Sequence, residues 1–170
     1  SKAIATFERT FVSGNSIFDR YNRGQLTALN DAQIRGMKLF MDTNQTNCLH
    51  CHSDYNFSDG GMHSTGLEEH YSDGGLQTLT GREEDNGKFR TPTLRNIRET
   101  GPYMHDGRFK TLIEVIRHYN EGGKGNRTQD PHIRKLNLTD GEMEDLRAFL
   151  ESLSDEQFLT RKDLQNPWIH

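Results

Sequence analysis

Cys48 and Cys51 are the only cysteines in the chain, three positions apart, and His52 follows the second directly. Two thiols so spaced can bond to the two vinyl-bearing edges of a porphyrin, which pins the adjacent imidazole beneath the iron as proximal ligand. C-x-x-C-H is the attachment signature of c-type haem. Zinc is one rival, but a closed zinc site takes four ligands, usually with a second cysteine or histidine pair. A thioredoxin-type redox pair is the other, and it belongs to a βαβ pattern that is absent here. With both cysteines in one motif there is no disulfide framework to infer. His50, inside the motif, reads as a solvent-facing spacer.

The group opposite His52 decides the chemistry. A strong protein ligand there makes an electron-transfer centre, whereas an open position beside acid–base groups permits peroxide chemistry. The side chains able to reach it are Met104, His105, His118 and Tyr119, with Met62 and His63 nearer the motif. Tyr119 shares a helical face with Leu112, Val115 and Ile116, where a phenol ordinarily finds a hydrogen-bond partner in the core. His118 is turned about 100° from it, toward solvent or an edge. Met104 sits in a loop, where a thioether either ligates or packs. Spacing alone leaves the distal ligand open.

These residues need elements to position them. AIATFERTFVSGNSIFDRYNRG places Ile4, Phe7 and Phe11 at helical spacing and is broken near Gly14. LNDAQIRGMKLFMDT reads as a helix capped by Asn30 with Gln33 closing the box, and it delivers the chain to Cys48. TLIEVIRHYNEGG starts on Thr111 and Glu114 and ends on Gly122 and Gly123. LTDGEMEDLRAFLESL carries Thr139 and Glu142 as a box, a Leu138–Met143 staple and an apolar face of Leu146, Phe149, Leu150 and Leu153. Between Ser53 and about Arg90 the chain is loop-like, and so long a loop in a compact domain usually wraps something. No alternating strand pattern or internal repeat is visible. The expectation is a mostly α, cytochrome c-like helical domain wrapped around one covalent haem with long irregular loops. Its parts are a helical lead-in at 1–25, the haem domain at 26–155 and a tail at 156–170 that docks by Trp168.

Composition sets outer bounds. The chain has 170 residues, a net charge of −4 and only 31% apolar residues, with sixteen glycines. So small an apolar share fits many polar connections, or a bound apolar group that supplies core volume. Nucleic acid is not expected as a partner, because duplex binding needs a basic footprint. No run of about 18 apolar residues is present for a membrane span. The opening SKAIATFERTF reads like the middle of a helix, as in a mature protein or an excised fragment. Thioether formation needs reduced thiols and takes place outside the bacterial cytoplasmic membrane, so a periplasmic location is expected.

GKFRTPTLRNIRETGPYMHDGRFKTLIEVIRHYNEGG, together with CLHCHSDYNFSDGGMHSTGL and TFERTFVSGNSIFDRYN, resembles the bacterial di-haem cytochrome c peroxidase family, which includes the MauG-type enzymes. The likeness covers most of residues 3–155 and points to the C-terminal haem domain, with the opening helix ending the preceding half. In that family the N-terminal haem meets peroxide and the C-terminal haem passes electrons to it. The peroxidase branch ligates the C-terminal haem with a methionine on the helix after the PY-x-H-x-G segment, and the MauG-type branch uses a tyrosine. Carried onto this chain, that position is Tyr119, with Met104 in the haem surroundings. A phenolate favours ferric iron, so the resemblance implies a low potential.

The resemblance also implies that Phe89, Arg90, Pro92, Leu94 and Arg95 line the cofactor, with the two arginines able to pair with haem propionates. It implies a calcium ion at the main-chain oxygens of Thr100 and Pro102, normally completed by an asparagine from the other half. The partners implied are a second haem domain or redox protein, with hydrogen peroxide met indirectly. The alternative is a free-standing mono-haem carrier with His52/Met104 ligation, since only one C-x-x-C-H is present.

Overall fold

The computed structural model describes residues 2–164, so the expected docking of Trp168 lies outside the described residues. Its α-helices are α1 (Lys2–Glu8), α2 (Ile17–Asn22), α3 (Asp31–Met41), α4 (Gln77–Thr80), α5 (Leu112–Glu121), α6 (Asp140–Glu151) and α7 (Glu156–Leu159). The fold is mostly α. Four starts are fixed by reciprocal capping: Ser16 with Asp19, Asn30 with Gln33, Thr111 with Glu114, and Thr139 with Glu142. Each pair satisfies amides that the first helical turn leaves without a partner. At the far end of α5, Gly122 takes φ +85°, a left-handed conformation that stops the helix at little steric cost.

Helices α3 and α6 form the central packing. They approach so closely at Gly36 that a Cβ there would sit 1.9 Å from the Asp145 carbonyl oxygen. Any side chain at 36 would force the helices apart. Beside this crossing Arg35 holds Asp145 through two hydrogen bonds of 2.7 Å. Beneath it Phe149 meets Phe40 at 5.2 Å and Phe18 at 5.4 Å between ring centroids, and Phe57 meets Phe18 at 5.5 Å. Aromatic pairs at these separations and tilts add to the area they bury. Leu112 and Ile116 of α5 and Leu94 join the same core, and Cys48 and Leu49 pack against it. Phe18 belongs to the lead-in, so that segment and the helices after it share one core.

The long segment after the motif stays largely irregular. It contains α4 and a two-residue antiparallel ladder of β1 (Met62–His63) and β2 (Phe89–Arg90), with Met62 opposite Arg90 and His63 opposite Phe89. Two residues carry no alternation, which is why the sequence shows no strand. The lead-in breaks between α1 and α2, around Gly14. Ile4, Phe7, Phe11 and Val12 lie exposed, with Ile4 and Val12 at 61% each. The apolar spacing of α1 therefore faces away from the shared core.

Candidate metal centre

The motif begins as α3 ends. The Thr46 hydroxyl donates to the Leu39 carbonyl, and Asn47 turns the chain at φ +54° into a tight 3₁₀ turn over Cys48–His50. The amide of His52 closes onto the Cys48 carbonyl at 2.9 Å. Both cysteines are free and half-buried. Burial pushes the Cys48 thiol up, and burial together with the carboxylates of Asp130 and Asp59 pushes Cys51 up to about 11. Near neutral pH both are protonated thiols, the form that adds across a vinyl group.

His52 is oriented as a ligand. Its Nδ1 lies 2.9 Å from the Phe57 carbonyl oxygen. A carbonyl can only accept, so Nδ1 carries the proton and the lone pair is on Nε2. Burial lowers the imidazole pKa, against a smaller opposing effect of the Phe57 carbonyl. A neutral ring with a fixed tautomer and a polarised Nδ1–H is what metal-binding histidines show.

Tyr119 lies in the last turn of α5. Its ring is half-buried by accessible area, while its phenol lies deep enough for burial to push the pKa well above the usual range. Without a cation this site keeps the phenol protonated; a ferric centre supplies the positive charge that would ionise it. Two thiols and an Nε2 lone pair within one motif, with a buried phenol on α5, are a donor set of the kind that fits haem iron with covalent attachment.

The other candidates are placed as follows. His63 is held at both nitrogens, by Asp130 at 2.7 Å and Asp59 at 2.8 Å, which leaves neither free for iron. Cys51, Asp59 and His63 form a three-residue cluster of metal-capable groups. It shares its cysteine with the motif, and its histidine is engaged by carboxylates. His118, expected to point toward solvent or an edge, is buried instead: it is 6% exposed, with Nε2 3.0 Å from the Thr65 carbonyl. The loop after β1 covers that side of α5 and provides the partner that lets an imidazole be buried. His105 is exposed and stacks on half-buried Phe89 at 3.8 Å, and exposed His50 stacks on His132 at 3.6 Å. Met104 is half-buried at φ +71°.

Arg90 and Pro92 are exposed, and so are Thr100 and Pro102, on either side of Gly101. Arg95 is buried. Its NH1 and NH2 bond Asp19 at 2.9 and 3.0 Å, and its Nε donates to the Tyr55 carbonyl at 2.7 Å. The guanidinium expected to pair with a propionate is thus engaged on three sides by protein. Two participants escaped the sequence reading. Asp19 was signalled by the S-x-x-D spacing from Ser16, while Phe57 acts through a main-chain oxygen that no residue type announces.

A match to the cytochrome c family covers residues 33–154. The chain is 35% identical to a methylamine utilization protein MauG of Methylophilus methylotrophus over 153 residues, covering 90% of this chain and 46% of that protein. It is 36% identical to a cytochrome-c peroxidase, IdrP1, of Pseudomonas sp. (strain SCT), covering 95% of this chain and 51% of the relative. The crystal structure of a MauG-like protein associated with microbial copper homeostasis superposes with a TM-score of 0.87 at 35% identity, over 92% of this chain and 53% of that one. The chain thus spans about half the length of the curated relatives it matches.

Proposed function

This chain belongs to the cytochrome c family, as a haem domain of the MauG and di-haem cytochrome c peroxidase type, and on that premise we propose that His52 and Tyr119 grip haem iron from opposite sides in an electron-transfer domain serving peroxide chemistry. Cys48 and Cys51 tether the porphyrin. Once bound, the haem supplies a one-electron couple held low by an anionic oxygen ligand. The choice of Tyr119 is supported by its phenol lying deeply buried in the last turn of α5, at the position where the family resemblance implies a tyrosine ligand. The relatives named as peroxidases and MauG support a setting of hydrogen peroxide reduction or peroxide-linked oxidation of a partner.

The proposed partner is a second haem domain or a redox protein, and the exposed Ile4, Phe7, Phe11 and Val12 provide an apolar face for it. The proposed location is periplasmic, supported by the chemistry of haem attachment. No helix among the described residues is long and apolar enough to cross a membrane. Calcium at the main-chain oxygens of Thr100 and Pro102 is part of the proposal, in keeping with its preference for hard oxygen donors.

Met104 is the rival distal ligand, and one observation favours it: a non-glycine residue at φ +71° is uncommon, and such conformations gather at functional sites. The variant Met104→Leu separates the readings. With Tyr119 on the iron, the ferric spectrum stays low-spin and the midpoint potential moves little. If the variant turns high-spin and loses a sulfur-to-iron charge-transfer band, the domain is a His/Met carrier.

A further inference from the structure

We infer that the hydrogen bond on the proximal histidine is set from outside the haem motif, by a clamp running from Asp19 through Arg95 and Thr93 to the loop at 53–58. The inference rests on the proposal that His52 is the iron ligand, and it is independent of which residue lies opposite.

The loop carries its own turn bonds, from the Phe57 amide to the Asp54 carbonyl at 3.1 Å and from the Ser58 amide to the Ser53 carbonyl at 2.9 Å, but its backbone is of a kind that needs further support. Its carbonyl at Phe57 faces His52 Nδ1 because Asp54 and Phe57 adopt φ +60° and +51°, conformations that side-chain-bearing residues seldom take. Such a backbone persists only when its surroundings hold it. Here the segment 91–95 helps to do so, through one hydrogen bond to each of three loop residues. Arg95 Nε donates to the Tyr55 carbonyl at 2.7 Å, the Thr93 hydroxyl to the Asn56 carbonyl at 2.6 Å, and the Ser58 hydroxyl to the Thr91 carbonyl at 2.8 Å. Two of these bonds fall on the residues just before Phe57 and one on the residue just after it.

Asp19 anchors the clamp from the lead-in. It is 8% exposed and Arg95 7%, and they meet through two parallel hydrogen bonds. The same carboxylate accepts from the Ser16 backbone and hydroxyl, which fixes it to the start of α2. The Tyr55 ring lies 3.9 Å from the Arg95 guanidinium, and its hydroxyl donates to the Ser13 carbonyl at 2.8 Å. The lead-in and the loop behind His52 are therefore joined through the Arg95 guanidinium and, beside it, through the Tyr55 hydroxyl.

This linkage bears on redox chemistry through the imidazole. A carbonyl that accepts from Nδ1–H gives the ring anionic character, makes Nε2 a stronger donor and favours ferric iron. Holding that carbonyl in place keeps the potential low. Arg95 and Thr93 are positioning residues in this sense, since neither has to touch the cofactor.

The test uses the matured haem-loaded protein with Thr93→Val, Thr93→Ser and Arg95→Met. Its readouts are the midpoint potential and the exchange rate of the His52 Nδ1 proton, followed by its hyperfine-shifted resonance. Thr93→Val and Arg95→Met are expected to raise the potential and to speed exchange of the Nδ1 proton several-fold over the parent, because the accepting carbonyl is held less firmly. Thr93→Ser keeps the hydroxyl and should match the parent in both. Thr93 is exposed, so its valine variant decides the matter even if Arg95→Met does not fold. Parent-like potential and exchange in Thr93→Val would overturn the inference, whatever the melting temperature. His52→Ala is the separate control: an unchanged haem spectrum there would overturn the proposed ligation itself.

Discussion

Tyr119→Phe is expected to convert the ferric haem from six-coordinate low-spin to high-spin and to raise its midpoint potential. The phenolate is the anionic oxygen donor that favours the ferric state, and phenylalanine has no atom able to replace it. The ring stays, so the apolar packing of α5 around Leu112 and Ile116 is preserved and the change is read at the iron. External ligands should also bind better. If the internal ligand leaves only one molecule in a hundred open, its removal raises apparent affinity for imidazole or cyanide by about a hundred-fold. Ferric optical spectra, a redox titration and a ligand titration measure all three effects. An unchanged low-spin spectrum would exclude Tyr119 as ligand.

Replacing both sulfurs, as Cys48→Ala with Cys51→Ala, is expected to abolish haem staining on a denaturing gel, while either single variant keeps one thioether and stays stained. Stability should follow. Cys48 and Leu49 pack against the core, and the chain has only 31% apolar residues to build it. Without its tether the haem behaves as a ligand in free exchange, so the melting temperature should rise with added haem. At a hundred times the dissociation constant the gain is about 2.7 kcal/mol. A double variant that still stains would contradict covalent attachment at these residues, and one that melts at the same temperature with and without haem would contradict haem as part of the core.

The helices that carry the centre were legible because their starts depend on neighbours in sequence. Asn30 with Gln33, Thr111 with Glu114 and Thr139 with Glu142 can each be read within four residues, and each forms the reciprocal cap. The attachment motif is equally local. Contacts that depend on distant chain were not legible. His118 is buried because a carbonyl 53 residues away accepts from it, and Arg95 is buried because a carboxylate 76 residues away balances its charge. Neither partner leaves a mark near the residue it satisfies. Phe57 was hidden for another reason: its contribution is a backbone oxygen, and every residue has one. The choice between Tyr119 and Met104 came from likeness to a family, because periodicity does not separate a phenol on a helix from a thioether in a loop.

X-ray absorption at the metal of the ferric, matured protein tests the central claim most directly. Iron should be surrounded by porphyrin nitrogens, one imidazole nitrogen and one short oxygen distance, with no sulfur in the first shell. A sulfur scatterer at bonding distance would assign the sixth position to Met104, and a zinc edge in place of iron would remove the haem altogether.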